Sequence, residues 1–243
     1  MIFESDLKNV LDKWNKLPES EEKDTKIPPY TELKSFYKEY FNFINQIESK
    51  KDIIKLLQKE LLSKLLSIFG YSYDKSIKNL GTGCFLPIIG EIKKSNGAPE
   101  LWILEAFTNS EEKNPLVAPF FNDNYEEEKI SQLLNKNFDE IITKYVFSQD
   151  EPPRWIILAS YTQLILIDRN KWNEKRLLRF DLLEIISRRE NSTLEATCAL
   201  LHSESICPKD GISLLDTIDE NSHKHAFGVS EDLKYALRES IEL

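Results

Sequence analysis

Two pairs of short apolar runs constrain this chain more than any other feature of its sequence. Cys84–Lys93 (CFLPIIGEIK) and Pro99–Phe107 (PELWILEAF) flank Ser95-Asn96-Gly97. Trp155–Ser160 (WIILAS) and Leu164–Asp168 (LILID) flank a few polar residues. Each run is short, dominated by apolar side chains and bounded by turn-forming residues, so each pair reads as a β-hairpin. Asn-Gly supplies the positive φ that tight hairpin turns need. Helical stripes surround the pairs. Phe3, Leu7, Val10, Leu11, Trp14 and Leu17 form the first stripe, and Phe36, Tyr40, Phe41, Ile44 and Ile47 the second. Ile53, Ile54, Leu57, Leu61, Leu65 and Phe69 form a third, closed at Gly70. Ile130, Leu133, Leu134, Phe138, Ile141, Ile142 and Tyr145 place a further helix between the hairpins. Helix, two strands, helix, two strands is an α/β order with a sheet between helices. Leu194, Cys198 and Leu201 continue helically, and Ser230 caps a last helix carrying Leu233, Ala236, Leu237 and Ile241.

Composition narrows the class. The 243 residues are 41% hydrophobic and 30% charged, which is the balance of a folded chain and not of a disordered one. No apolar stretch approaches the roughly 20 residues that span a bilayer, and MIFESDLKNV is no signal peptide. Cys84, Cys198 and Cys207 are too few and too scattered for a disulfide framework, so the expected setting is cytoplasmic, without a membrane partner. A net charge of −9 argues against general coating of nucleic acid.

Most familiar chemistry is missing. There is no Gly-x-Gly-x-x-Gly, Walker loop, methyltransferase cofactor loop, Asn-Pro-Pro-Tyr or Gly-x-Ser-x-Gly, and Gly81-Thr82-Gly83 reads as a loop entering a strand. Cys198, His202, Cys207, His223 and His225 do not have the spacing of a zinc site, so no metal ligand is assigned.

The first hairpin is where chemistry would sit. A Mg²⁺-dependent nuclease of the PD-(D/E)xK type holds its metal with two carboxylates on adjacent strands that follow a helix, with a lysine beside them. The order here is helix 52–69, strand 84–93, strand 99–107, helix 126–146. However, Pro87 is followed by Ile88 where the acid belongs, and Glu105-Ala106 by Phe107 where the lysine belongs. Glu91-Ile92-Lys93 offers a second Glu-x-Lys, with Asp74 as a distant acid, or else a solvated charged edge. Glu105, set among Trp102, Ile103, Leu104, Ala106 and Phe107, needs a partner, for which Lys93 across the hairpin is the candidate. Beyond the second hairpin, Arg169, Lys171, Lys175, Arg176 and Arg179 surround Trp172 with only Glu174 against them, and Arg188 and Arg189 follow. These seven cations are candidate contacts to a phosphate backbone, or an ordinary solvated surface.

Three stretches resemble the N-terminal region of large bacterial restriction-modification and phage-defence DNA adenine methyltransferases of the type IIG, BREX-like and DISARM-like kinds. They are LPIIGEIKKSNGAPELWILEAF (Leu86–Phe107), RWIILASYTQLILIDRNKW (Arg154–Trp172) and DENSHKHAFGVSEDLKYALRESIEL (Asp219–Leu243). The resemblance, over about residues 50–243, implies a restriction-endonuclease-like α/β sheet flanked by helices, with the nuclease-like domain over 51–190 and a helical connector over 191–243 cut before a methyltransferase domain; the first two apolar stripes place N-terminal helices over 1–50 ahead of it. It implies S-adenosylmethionine chemistry for the parent protein and no cofactor in this part. The expected function is non-catalytic, positioning DNA or other parts of a defence system. The alternatives are an active Mg²⁺-dependent endonuclease, using Glu91 with Lys93 or Glu105 with a lysine from elsewhere, and a protein-interaction module.

Overall fold

The computed structural model describes residues 2–16, 27–49, 54–81, 83–108, 114–120 and 132–223. The chain is α/β, with a mixed five-stranded sheet flanked by helices. Four helices come first: α1 (Ile2–Asn15), α2 (Pro29–Ser35), α3 (Tyr37–Ser49) and α4 (Ile54–Ile68). Strands β1 (Ser76–Asn79), β2 (Phe85–Ile88), β3 (Gly90–Lys93) and β4 (Pro99–Glu105) follow. Then come α5 (Phe138–Ile141), drawn out by a π-helical turn over Ile142–Val146, and the second hairpin, β5 (Trp155–Ala159) and β6 (Gln163–Asp168). The last elements are α6 (Arg169–Trp172), β7 (Leu177–Asp181), α7 (Leu182–Arg188), α8 (Asn191–Leu201), α9 (Ser203–Ile206) and α10 (214–223).

Both expected hairpins form. β3 and β4 pair antiparallel around a turn in which Gly97 adopts φ +87°, and β5 pairs antiparallel with β6. The sheet order is β3-β4-β5-β6-β7, with β4 and β5 parallel. β5 is central and all five of its residues are buried, so both faces of the sheet must be covered. Alternation then divides the apolar residues into two cores. Leu101, Ile103, Trp155, Ile157, Leu164 and Leu166 face α1–α4 and α8. Trp102, Leu104, Ile156, Leu158, Ile165 and Ile167 face α5, β2 and Trp172. Residues from 1–50 and from 191–206 share the first core with the sheet, through Leu7, Trp14, Tyr40, Leu194 and Cys198.

Three expectations needed revision. The run at 84–93 is not one strand. It breaks at Ile89, so β2 leaves the main sheet to pair with β1, an element with no apolar signature. Gly90 permits the crossing, because a Cβ there would lie 2.9 Å from Ile103 Cδ1 and 3.2 Å from the Ser72 carbonyl. The helix expected over 126–146 is helical only from Phe138, after turns at 132–135, and 121–131 fall outside the described residues. β7 was not foreseen, since its burial follows no strict alternation. The helix expected from Ser230 onward and His225 also lie outside the described residues. Among the described residues, no helix is long and apolar enough to cross a membrane.

α10 is held to the sheet by charge. Arg154 donates to Asp216 at 2.6 and 2.8 Å and to Asp168 at 3.2 Å, Lys171 pairs with Asp219 at 2.9 Å, and Asn221 donates to Asp6 of α1 at 3.0 Å. The Arg154 guanidinium is the main reason that Asp216 lies below the usual carboxylate range. A carboxyl depressed by folding contributes stability above its unfolded pKa and loses it as pH falls through the folded one. Arg154→Ala is therefore expected to cost about 1–2 kcal/mol at neutral pH, as for a partly solvated charge-assisted contact. In urea denaturation followed across pH, that cost should shrink as the solution becomes acidic enough to protonate Asp216. A pH-independent loss would assign the effect to packing.

Candidate functional site

Glu105 ends β4, opposite Ala159 of the parallel strand β5, and its side chain is only 9% exposed. The alternation that buries Leu101 and Ile103 against α4 also aims Glu105 at that helix. There Gln58, fully buried, donates through Nε2 to Glu105 Oε1 at 3.1 Å and to the Ala106 carbonyl at 3.2 Å. Both partners are acceptors, so the amide can only point its nitrogen this way. Gln58 Oε1 meets no donor among the described residues. Lys75 lies 3.8 Å from Glu105 Oε2, and Lys55 adds its charge while sitting 5.9 Å from the centre of the Phe107 ring. Burial outweighs these contacts and pushes the Glu105 carboxyl above its ordinary value.

Glu91 is held differently. It stands opposite Trp102 and so shares that residue's face, the face away from α4. Trp102 Nε1 donates to it at 2.9 Å and Lys78 at 2.7 Å, with Lys93 at 3.5 Å. Burial alone would raise Glu91, but the hydrogen bonds from Lys78 and Trp102 and the charges of Lys78 and Lys93 hold it below the usual range. It is no solvated edge: its side chain is 17% exposed.

These placements correct the expected pairing. Lys93 belongs to Glu91, and the cation beside Glu105 is Lys75. Glu91 and Glu105 lie on opposite faces of the sheet, so they cannot hold one ion together. Pro87 pairs with Ile77 in the small β1–β2 sheet, and Ile88 is fully buried in the core away from α4. Pro87 and Ile88 therefore do not meet Glu105 and Phe107 around one centre, because the break at Ile89 turns Ile88 to the other face. Asp74 is exposed, and its amide donates to the Ile89 carbonyl.

The seven candidate cations are largely engaged. Lys171 meets Asp219, Lys175 meets Asp139 at 3.2 Å, Arg176 meets Glu174 at 3.3 Å, and Arg188 meets Glu184 at 2.6 Å. Arg179 donates to the neutral oxygens of Asn114 and Gln163, and Arg189 lies over Tyr37 at 5.0 Å. Arg169 is exposed at the start of α6. Asp139 and Asp219 come from far along the chain, so the sequence showed Glu174 alone. Cys198 is sealed in the core, His202 packs edge-on to Trp14, and His223 is exposed. Among the described residues, no three His, Cys, Asp or Glu side chains gather to hold a metal.

The sequence reading missed Gln58 and Lys75. Gln58 left a usable trace, as a polar residue beside Leu57 and one turn before Leu61 and Leu62 in an otherwise leucine-lined helix. No family model, curated protein or solved structure matches the chain.

A carboxyl whose pKa is raised by folding favours the folded state at low pH, and that advantage is lost as pH rises through the folded value. Glu105→Gln, which keeps the acceptor for Gln58, should therefore raise the urea midpoint at neutral pH. The gain should disappear below the ordinary glutamate value of 4.5. A lower midpoint at neutral pH would mean that the pairing with Lys75 outweighs burial.

Proposed function

We propose that this domain is a non-catalytic, nuclease-like part of a DNA modification or phage-defence enzyme, which positions DNA or partner proteins for a methyltransferase elsewhere in the same system. The chain order α4, β3, β4, α5, β5 supports it, being the order expected of such a sheet, with β1 and β2 inserted between α4 and β3 as a separate ribbon. The observation that carries it is the separation of Glu91 and Glu105 by the sheet itself. A divalent ion takes several oxygens around one point, and Mg²⁺ in particular demands them in near-octahedral array. Here Glu105 is bound by Gln58 and Lys75, and Glu91 by Lys78, Trp102 and Lys93. The reading places this chain in the cytoplasm, with S-adenosylmethionine used by the parent protein and not by this part.

One observation favours a second reading. Lys75 at 3.8 Å, with Lys55 near Phe107, puts ammonium groups beside Glu105 from outside its own strand. That is the arrangement an active Mg²⁺-dependent endonuclease with a relocated lysine would use.

Supercoiled plasmid incubated with the purified chain and Mg²⁺ or Mn²⁺ separates the two. The non-catalytic reading expects intact plasmid, and cleavage abolished by Glu105→Ala or Lys75→Ala would overturn it. Duplex binding, followed by anisotropy against salt, tests the positioning role. Arg169→Ala and Arg179→Ala together should lower affinity for all sequences. They should also flatten the salt dependence by roughly one unit of log–log slope for each phosphate left without its cation. Affinity indifferent to salt would shift the role to protein partners.

A further inference from the structure

The contacts that fasten α10 to the sheet are ion pairs, and its apolar side chains are left without a full cover. None of residues 214–223 is buried, although Leu214, Leu215 and Ile218 are among them. Between α10 and the sheet is a cavity of about 300 Å³, walled by Trp155, Leu166, Leu177, Leu178, Leu215 and Ile218. Trp155 and Leu166 are sealed at 1% exposure each, whereas Leu178 at the end of the wall is 36% exposed. The apolar wall therefore reaches the surface, where covering it is favourable.

The charges around the cavity call for no ion. Arg154 is held by Asp168 and Asp216, Lys171 by Asp219, and Arg176 reaches Asp219 at 3.9 Å. An occupant meets leucine and isoleucine side chains inside a rim of charges that already answer one another. Such a place suits the apolar stripe of an amphipathic helix, whose polar side stays in water.

The chain supplies that stripe where it leaves α10. Ser222 lines the cavity and His223 is the last described residue, so the chain continues from the cavity's edge. Residues 224–230 contain Gly228, at which a chain can reverse, and Ser230 opens the stripe of Leu233, Ala236, Leu237 and Ile241. At 1.5 Å per residue α10 is roughly 15 Å long, and 224–230 extended reaches about 24 Å, enough to turn and run back along it. The other longer stretches outside the described residues offer no such stripe: 17–26, 109–113 and 121–131 are dominated by acidic, amide and lysine side chains.

We propose that residues 230–243 form an amphipathic helix that lies against α10 and β7 of the same chain, with Leu233 and Leu237 covering the cavity. The proposal stands on the cavity and the stripe and not on the nuclease-like reading of Glu105, so each can fail alone.

NMR of the full chain with methyl-labelled leucine and isoleucine decides it. Methyl cross-peaks from Leu233 or Leu237 to Leu178, Leu215 or Ile218 are expected, and they should persist on dilution. Their absence would overturn the proposal, and so would cross-peaks seen only between differently labelled copies, which assign the seat to a second copy. Leu237→Asp puts a charge on the stripe and should speed amide exchange across 215–222 about tenfold, the factor for losing one buried leucine contact. Glu242→Lys, which lies off the stripe, should leave that exchange as it is. Unchanged exchange in Leu237→Asp, or equal acceleration by both variants, would overturn the seat. The labelled native chain carries the test if Leu237→Asp does not fold.

Discussion

The parallel pairing of β4 with β5 is the constraint on which the other features rest. Antiparallel sheets can leave one face to water, but here the central strand is buried from Trp155 to Ala159 and both faces carry a core. The pleat then assigns every neighbouring residue to one core or the other. Residues two apart stay together and residues one apart are separated by the thickness of the sheet. This assignment places the N-terminal helices and α8 over one face, and α5 with the β1–β2 ribbon over the other.

The same alternation governs the acids. Glu105 follows Leu101 and Ile103 onto the α4 face, while Glu91 follows its partner Trp102 onto the opposite one. Each then meets a different environment and shifts in a different direction. Glu91 is reached by two hydrogen-bond donors and two ammonium groups, which more than offset its burial. Glu105 receives an amide and more distant lysines, and burial prevails. Two glutamates in neighbouring strands of one hairpin thus become a partly buried, ion-paired carboxylate and a desolvated acid, with no common centre between them.

Charge also does different work at the two ends of β5. Near Ala159 it is concentrated in one carboxyl and the amide that binds it. Near Trp155 it is spread over three cations and three carboxylates that fasten α10 to the sheet. Cations that look like an unopposed basic cluster in the chain are, in the fold, mostly components of this fastening or of neighbouring pairs.

Much of the architecture was legible in the residues themselves. Asn96-Gly97 and the apolar runs beside it determined one hairpin, WIILAS and LILID the other, and the leucine stripe ending at Gly70 determined α4, because these signals are local and depend only on periodicity and turn geometry. β1, β7 and the break at Ile89 were not legible, since SIKN and LLRFD carry weak alternation and the break depends on Gly90 meeting Ile103 and Ser72. The residues also announced that Glu105 would be buried and would need a partner. Only the tertiary structure decided that the partner is Gln58 with Lys75, that Glu91 stands across the sheet, and that Asp139 and Asp219 answer Lys175 and Lys171. The physical reason is that desolvation can be read from a residue's immediate neighbours, whereas Coulomb and hydrogen-bond partners are set by distances in space between positions up to 215 residues apart along the chain.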